Sequence, residues 1–219
     1  MQKYFETVRE CPLFKGLSDE ELERMLTCFG ARRERFDKKN TIFSEGAPVK
    51  NIGILLSGEA QTVQLDYYGN RSILSQIKPS EVFGEEFACA QVKSIPVSVV
   101  ANEESEVMLI DGDHIMHTCS NNCAFHRLLI FNMMKELAQK NIDFHQRIEI
   151  TSKRSTREKL MAYLSAQAAR ARSNRFEISF DRQELADYLE VERSGLSAEI
   201  SKLKKEGIIK NNKNYFELL

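Results

Sequence analysis

The chain has 219 residues, 42% hydrophobic and 29% charged, enough for one large or two small domains with real cores. Its 31 Lys and Arg against 32 Asp and Glu leave a net charge of −1, which excludes a highly basic coat protein and a disordered acidic tail. No apolar run approaches the roughly 18 residues of a membrane span, and the start MQKYFETVRE lacks the apolar centre of a signal peptide, so a cytoplasmic protein with no membrane partner is expected.

Ser18 with Glu21 three residues later forms a capping box, and Leu17 and Leu22 are placed as a hydrophobic staple. They open a helix whose buried face is Leu22, Met25, Leu26 and Phe29. Short β-type runs follow: Thr41 to Phe43, Ile52 to Leu56, Ala60 to Tyr67, Arg71 to Ile77, Val97 to Ala101 and Glu106 to Ile110. Glu45-Gly46-Ala47-Pro48, Ser57-Gly58 and Tyr68-Gly69-Asn70 supply the turns between them. Regular short strands of this kind predict a β sandwich or barrel. Six of the ten glycines lie between Gly46 and Gly112, and all four prolines precede Val97, so the front is rich in turns and the back in helix. Charge divides the same way. Up to residue 150 there are 17 basic and 22 acidic residues, net −5, and beyond it 14 and 10, net +4. The positive end is where a polyanion would bind.

From Ala124 the pattern is helical for nearly thirty residues, with Ile130, Met134, Leu137, Asn141, Phe144, Ile148 and Thr151 spaced alternately four and three apart. That is a coiled-coil seam. A single helix cannot bury its seam, so a parallel homodimer is inferred, with Asn141 as the polar residue that fixes register. On periodicity alone, a core helix within one domain is the alternative.

Ser155 with Glu158 caps the next helix, in which Leu160, Tyr163, Leu164 and Ala168 face inward, and a strand from Phe176 to Ser179 follows. Asp181 with Glu184 repeats the box before Leu185, Ala186 and Leu189, and a turn through Glu190 and Val191 leads to another helix. Two short helices across a tight turn read as helix-turn-helix. In the second, Leu196, Ile200 and Leu203 bury one face and leave Arg193, Ser194, Ser197, Ala198, Ser201 and Lys204 outward. Gly207 ends it, and Ile208 to Lys210 and Tyr215 to Leu218 flank Asn211-Asn212-Lys213-Asn214 as a hairpin wing. Spacing alone leaves plain helical packing and DNA binding both open.

The segment RQELADYLEVERSGLSAEISKLKKEGII, Arg182 to Ile209, resembles the helix-turn-helix of the Crp/Fnr family of bacterial transcription regulators. CPLFKGLSDEEL (Cys11 to Leu22), FSEGAPVKNIGILLSGEA (Phe43 to Ala60) and VFGEEFA (Val82 to Ala88) are similar to that family's β-roll, so the resemblance covers essentially the whole chain. It implies an α+β fold: a jelly-roll (double-stranded β-helix) sensor domain at 1–123, a dimerisation helix at 124–151 and a winged helix-turn-helix at 152–219. It also implies a homodimer on double-stranded DNA at a palindromic operator, with RNA polymerase as a further partner if the protein activates. Arg182 and Gln183 would touch the DNA backbone, and Arg193, Ser194, Ser197 and Lys204 would face base edges or phosphates. Three departures matter. Ala198 stands where the family commonly has a guanine-reading arginine, so the operator cannot be copied from better-known members. Glu190 stands where the turn usually has glycine, so either the turn relaxes or Glu190 takes a positive φ at a cost of about 1 kcal/mol or more. Gly195 weakens the recognition helix by a similar amount.

In cyclic-nucleotide-binding relatives the loop after F-G-E contacts the ribose, and an Arg-Ser pair about ten residues later neutralises the phosphate. Phe83, Gly84 and Glu85 match, but the later stretch reads Ser94-Ile95-Pro96-Val97, with only Lys93 as a nearby cation. Cyclic AMP is therefore not expected. A different small organic effector is expected at Gly84, Glu85, Glu86 and Phe87, capped by Asn141 and Ile142, and a purely structural turn at Gly84 is the alternative. A rival sensor is a thiol or metal. The five cysteines are an odd number suited to free thiols in a reducing compartment. His114, His117, Cys119, Cys123 and His126 cluster, but their irregular spacing predicts no metal site, and Cys11 and Cys28 are too far apart to hold an iron-sulfur cluster as oxygen-sensing members do. A Cys119/Cys123 redox pair stays open. The chain is not expected to be an enzyme, since it has no P-loop, no H-E-x-x-H segment and no recognisable nucleophile with its base. A thiol- or metal-dependent enzyme with a helical tail is the remaining rival.

Overall fold

A computed structural model describes residues 4–48, 50–116 and 124–219. They form two compact units: one contains the chain up to Asn70 together with Leu74–Lys140, and the other contains Arg71–Ile73 and Asn141–Leu219.

From the amino terminus, α1 (Phe5–Glu10), a 3₁₀ turn (Pro12–Phe14) and α2 (Asp19–Cys28) lead into eight strands, which belong to the first unit except for the first three residues of β5: β1 (Arg32–Phe36), β2 (Thr41–Phe43), β3 (Asn51–Ser57), β4 (Ala60–Leu65), β5 (Arg71–Ile77), β6 (Val82–Phe83), β7 (Ser98–Ala101) and β8 (Ser105–Asp111). Two short helices interrupt them, α3 (Glu85–Cys89) after β6 and α4 (Gly112–Met116) after β8. The strands make two four-stranded sheets, ordered β1-β8-β3-β6 and β2-β7-β4-β5, which is the two-sheet roll expected from the sequence.

The central strands β3 and β8 read as unbroken apolar runs because each separates two cores. Ile52, Ile54 and Leu56 of β3 and Met108 and Ile110 of β8 pack on one side with Leu22, Met25, Leu26 and Phe29 of α2. Leu55, Val107 and Leu109 point to the other side, into the interior of the roll, with Phe43, Ala60, Ile77, Phe83, Ile95, Val97 and Val99. The capping box of α2 is present in full, Ser18 Oγ accepting from Glu21 N and Glu21 Oε2 from Ser18 N.

Two strands escape the sequence pattern. β1 is Arg-Arg-Glu-Arg-Phe, an edge strand whose charges pair with residues of and just before its neighbour β8, Arg33 with Glu106 at 3.5 Å and Arg35 with Glu104 at 2.6 Å. Charge on an edge discourages further strand addition, which is also what hides it from a hydrophobic pattern. β6 is two residues long, and Gly53 lies opposite Phe83, where any Cβ would overlap the aromatic ring.

The helix α5 (Ala124–Thr151) has the limits that the periodicity predicts. Its first half contributes Leu129 and Met133 to the core beside α2, with Phe125 and Leu137 packed against it. Buried Asn132 donates to Leu13 O (3.1 Å) and Lys15 O (2.9 Å) and so ties the amino-terminal turn to α5.

The second unit carries α6 (Thr156–Ala171), β9 (Arg175–Glu177), α7 (Arg182–Leu189), α8 (Arg193–Lys205), β10 (Ile209–Asn212) and β11 (Tyr215–Leu218), with a sheet ordered β10-β11-β9. The capping boxes of α6 and α7 both form. Tyr188 lies 5.4 Å from Tyr163 and 5.0 Å from Phe180, ring centre to ring centre, an aromatic knot that holds α7 on α6. β9 starts one residue earlier and stops two earlier than expected, because it pairs with β11 only from Arg175 to Glu177.

Candidate nucleic-acid interface and effector site

α7 and α8 are joined by a turn that the sequence makes costly. Leu185, Ala186 and Leu189 of α7 and Leu196, Ile200 and Leu203 of α8 are buried, as their spacing requires. Glu190 takes the left-handed conformation, φ 55° and ψ 56°, so the second of the two outcomes expected at this position holds. Its neighbours secure it. Lys159 Nζ donates to Leu189 O (3.1 Å) and Glu190 O (3.3 Å), and Arg147 Nη2 meets Glu190 Oε1 at 3.0 Å while its guanidinium lies over the Tyr188 ring.

Arg182 begins α7 half-buried. Its Nη2 donates to Asn211 Oδ1 of the wing (3.3 Å), and its Nη1 is buried with no hydrogen-bond partner. Burial and the adjacent positive charge of Arg193 together hold this guanidinium below its ordinary pKa. Lys204 Nζ reaches the same wing residue, donating to Asn211 O (3.2 Å). Asn211, expected only as a turn residue, thus organises two cations. Its own amide is fixed by Lys213 O (2.8 Å) and Tyr215 O (3.1 Å). The Asn-Asn-Lys-Asn run was the available signal, since Asn side chains commonly bond local backbone.

The other expected residues fall as follows. Arg193 and Ser194 are exposed at the amino end of α8, Ser197 is half-buried, and exposed Gln183 is held by Asp187 at 2.7 Å. Exposed Lys202 and Lys205 extend the basic side of α8. Gly195 has no packing reason to be glycine, because a Cβ there would meet nothing closer than Glu192 Cβ at 4.0 Å.

In the roll, Gly84 is required twice over: its φ is +79°, and a Cβ would approach Phe43 Cε2 to 2.7 Å. It places Glu85 at the start of α3 with its side chain wholly buried. Lys140 Nζ of α5 lies 2.5 Å from Glu85 Oε1 and donates to Val82 O at 2.8 Å. Lys140 is the charge partner of Glu85, and the two carboxylate oxygens have no other hydrogen-bond partner among the described residues. Desolvation outweighs Lys140 and, with Glu86 adding repulsion, pushes the Glu85 carboxyl up to about 7. Glu86 has one buried oxygen without a partner, and Phe87 packs into the core of the roll. Lys140 is thus the α5 residue at this loop. Asn141 and Ile142 are exposed.

Ile95, at the position of the missing phosphate cation, is buried in the roll interior, and its backbone is spent on the 46–47 turn: Gly46 N donates to Ile95 O (2.8 Å) and Ile95 N to Ala47 O (2.9 Å). Lys93, Ser94 and Pro96 are exposed.

Along α5, Ile130, Phe131, Met134, Ile142, Phe144 and Ile148 are exposed, as is Asn141. Leu137, expected on the same seam, is half-buried against the first core. A straight helix drifts by about 20° per heptad against a strict seven-residue repeat, so a residue at the border of two apolar stripes can serve the inner one.

Cys11 is buried, and burial pushes its thiol up to about 12; Cys89 is half-buried and also raised, by burial and then by Glu85 and Glu86. Neither has thiolate character. Buried His126 is engaged with Ile115 O at 2.7 Å, and among the described residues no three His, Cys, Asp or Glu side chains gather as a metal site. His117, Cys119 and Cys123 lie outside the described residues.

Residues 33–122 match the cyclic nucleotide-binding domain, and residues 158–219 match the Crp-like helix-turn-helix domain. No curated protein matches significantly. Among solved structures, the chain is similar to the c-di-GMP responsive global regulator CLP of Xanthomonas campestris (15% identity, 90% of this chain and 97% of that one, TM-score 0.74). It is also similar to a CooA mutant of Carboxydothermus hydrogenoformans (18%, 88% and 85%, 0.72) and to FixK2 of Bradyrhizobium japonicum (19%, 86% and 92%, 0.64). At these identities the likeness is one of fold. With a cyclic nucleotide-binding domain followed by a Crp-like helix-turn-helix, assembled on this architecture, the chain belongs to the Crp/Fnr family of transcription regulators.

Proposed function

We propose that the protein acts as a homodimer joined along the exposed stripe of α5, with its two α8 helices entering successive major grooves of a palindromic operator. The observation that carries the DNA reading is the gathering of Arg182 and Arg193 at the open end of the helix pair, with Arg182 Nη1 buried and unpartnered. Two like charges held together, neither in an ion pair among the described residues, favour an anion from outside. A duplex phosphate supplies it, and α8 then presents Arg193, Ser194 and Ser197 to base edges.

Control comes from a small molecule at Gly84, Glu85, Glu86 and Phe87 that is not cyclic AMP. Ile95 fills the interior where a phosphate would need a cation, and its N–H is already used by Ala47. Binding titrations at several salt concentrations, on operator and on random DNA, test the DNA reading, and specific retention of operator at moderate salt is expected. Calorimetry with cyclic AMP should show no micromolar binding. If the bound dimer activates, RNA polymerase is the partner it recruits.

A further inference from the structure

Glu85 is a carboxylate out of place unless something cationic belongs beside it. Its side chain is wholly buried, its two oxygens have no hydrogen-bond partner beyond the contact with Lys140, and Glu86 adds a further buried oxygen with no partner. The charged groups around it are mostly acidic: Glu86 on α3 repels Glu85 directly, and Glu81 before β6 and Glu136 on α5 surround the one ammonium, Lys140, while the buried thiols of Cys11 and Cys89 stay neutral. An anionic ligand would be repelled here.

Lys140 is a primary alkylammonium on a tether. Its amine touches Glu85 Oε1 and donates to Val82 O, while the side chain as a whole remains 31% exposed. The stem therefore runs from solvent to a buried carboxylate, which marks the route another amine would take. Lys140 is also the last α5 residue of the first compact unit, for the second begins at Asn141.

We propose that the Glu85 carboxylate is a primary-ammonium site, filled in the resting chain by the protein's own Lys140, and that a small organic amine is the class of ligand that replaces it. Replacement would release the last α5 residue of the first unit from the loop. That consequence rests on the regulatory reading given above, whereas the site does not.

The test uses the full chain carrying Lys140→Ala, with ethylammonium chloride as the probe and tetramethylammonium chloride, which has no N–H, at the same ionic strength as control. The variant should melt several degrees below the native chain. Ethylammonium should restore most of that loss saturably, and tetramethylammonium should restore none. The native chain should respond weakly, because its tethered amine competes at an effective concentration in the millimolar range or above. Lys140→Ala combined with Glu85→Gln should not respond. If Lys140→Ala does not fold unaided, recovery of its circular dichroism on adding ethylammonium is the equivalent readout, and absence of recovery overturns the proposal. No loss of melting temperature in Lys140→Ala, equal rescue by both salts, or rescue that survives Glu85→Gln also overturns it. Operator affinity is measured alongside. Thermal rescue without a change in operator affinity supports the site and counts against the regulatory reading alone.

Discussion

The tip of the helix-turn-helix and the loop at the start of α3 both hold a charged side chain short of hydrogen bonds, and they resolve it oppositely. At the tip, Arg182 has an unpartnered Nη1, and the charge that acts on it is a second cation, Arg193. In the loop, Glu85 is wholly enclosed, and the chain supplies the opposite charge itself through Lys140. Gathering like charges at a half-exposed surface leaves a deficit that only an external anion can meet. Meeting a buried charge with a tethered one closes the site until a competitor arrives. On the readings proposed above, the first is an interface waiting for a partner, and the second is a socket already plugged.

The largest effect should come from removing the second copy on which the proposed interface depends. Phe144 and Ile148 are 44% and 59% exposed on α5, so Phe144→Glu with Ile148→Glu should leave each protomer folded while placing charges in the seam. Sedimentation should show monomers, and operator affinity should fall by at least about 100-fold, since one recognition helix then binds without its twin. A double variant that remains dimeric would move the interface elsewhere. Leu137 is left alone because its side chain also packs on the inner core.

Next in size are the two arginines. Arg182→Ala should weaken operator and random DNA alike and flatten the salt slope by about one unit. Arg193→Ala should cost about 1–3 kcal/mol on operator and much less on random DNA. Equal losses for both variants on both DNAs would make the pair a single phosphate clamp with no role in base reading.

How much of this was legible in the sequence depended on whether a pattern lay in one segment. The three capping boxes, at Ser18, Ser155 and Asp181, are local arrangements four residues long, and all form as spaced. The buried faces of α2, α7 and α8 are helical periodicities, and they too are where the spacing puts them. β1 was hidden because its Arg and Glu residues satisfy an edge rather than a core. Asn211 and Lys140 were hidden for another reason: their partners are distant in sequence, Arg182 29 residues from Asn211 and Val82 58 residues from Lys140. No periodicity reports a contact across that separation.

Smaller again is the pH dependence of the loop. An unperturbed glutamate titrates at 4.5, whereas folded Glu85 titrates at about 7. Between those values the native chain binds more protons than the unfolded one, so stability is highest below about pH 4.5 as far as this group is concerned, and it declines as pH rises through 7. Glu85→Gln should flatten that decline across the window. A native chain and a Glu85→Gln variant with parallel melting temperatures from pH 5 to pH 8 would show that Glu85 titrates normally, and would remove the contrast between plugged socket and open interface.

The smallest effect tests whether Glu190 is tolerated at the turn or used there. Its left-handed backbone costs about 1 kcal/mol relative to glycine, and its ion pair with Arg147 contributes about as much at most, since Glu190 is 44% exposed at the side chain. Glu190→Gly removes both terms, so the melting temperature should move by no more than a few degrees in either direction. Binding should respond more than stability, because the lost pair ties α5 to the turn that aims α8. A several-fold fall in operator affinity at unchanged melting temperature is expected for Glu190→Gly and for Arg147→Met alike. Unchanged affinity in both would mean that Lys159, which caps the same turn through the carbonyls of Leu189 and Glu190, is sufficient to aim the recognition helix.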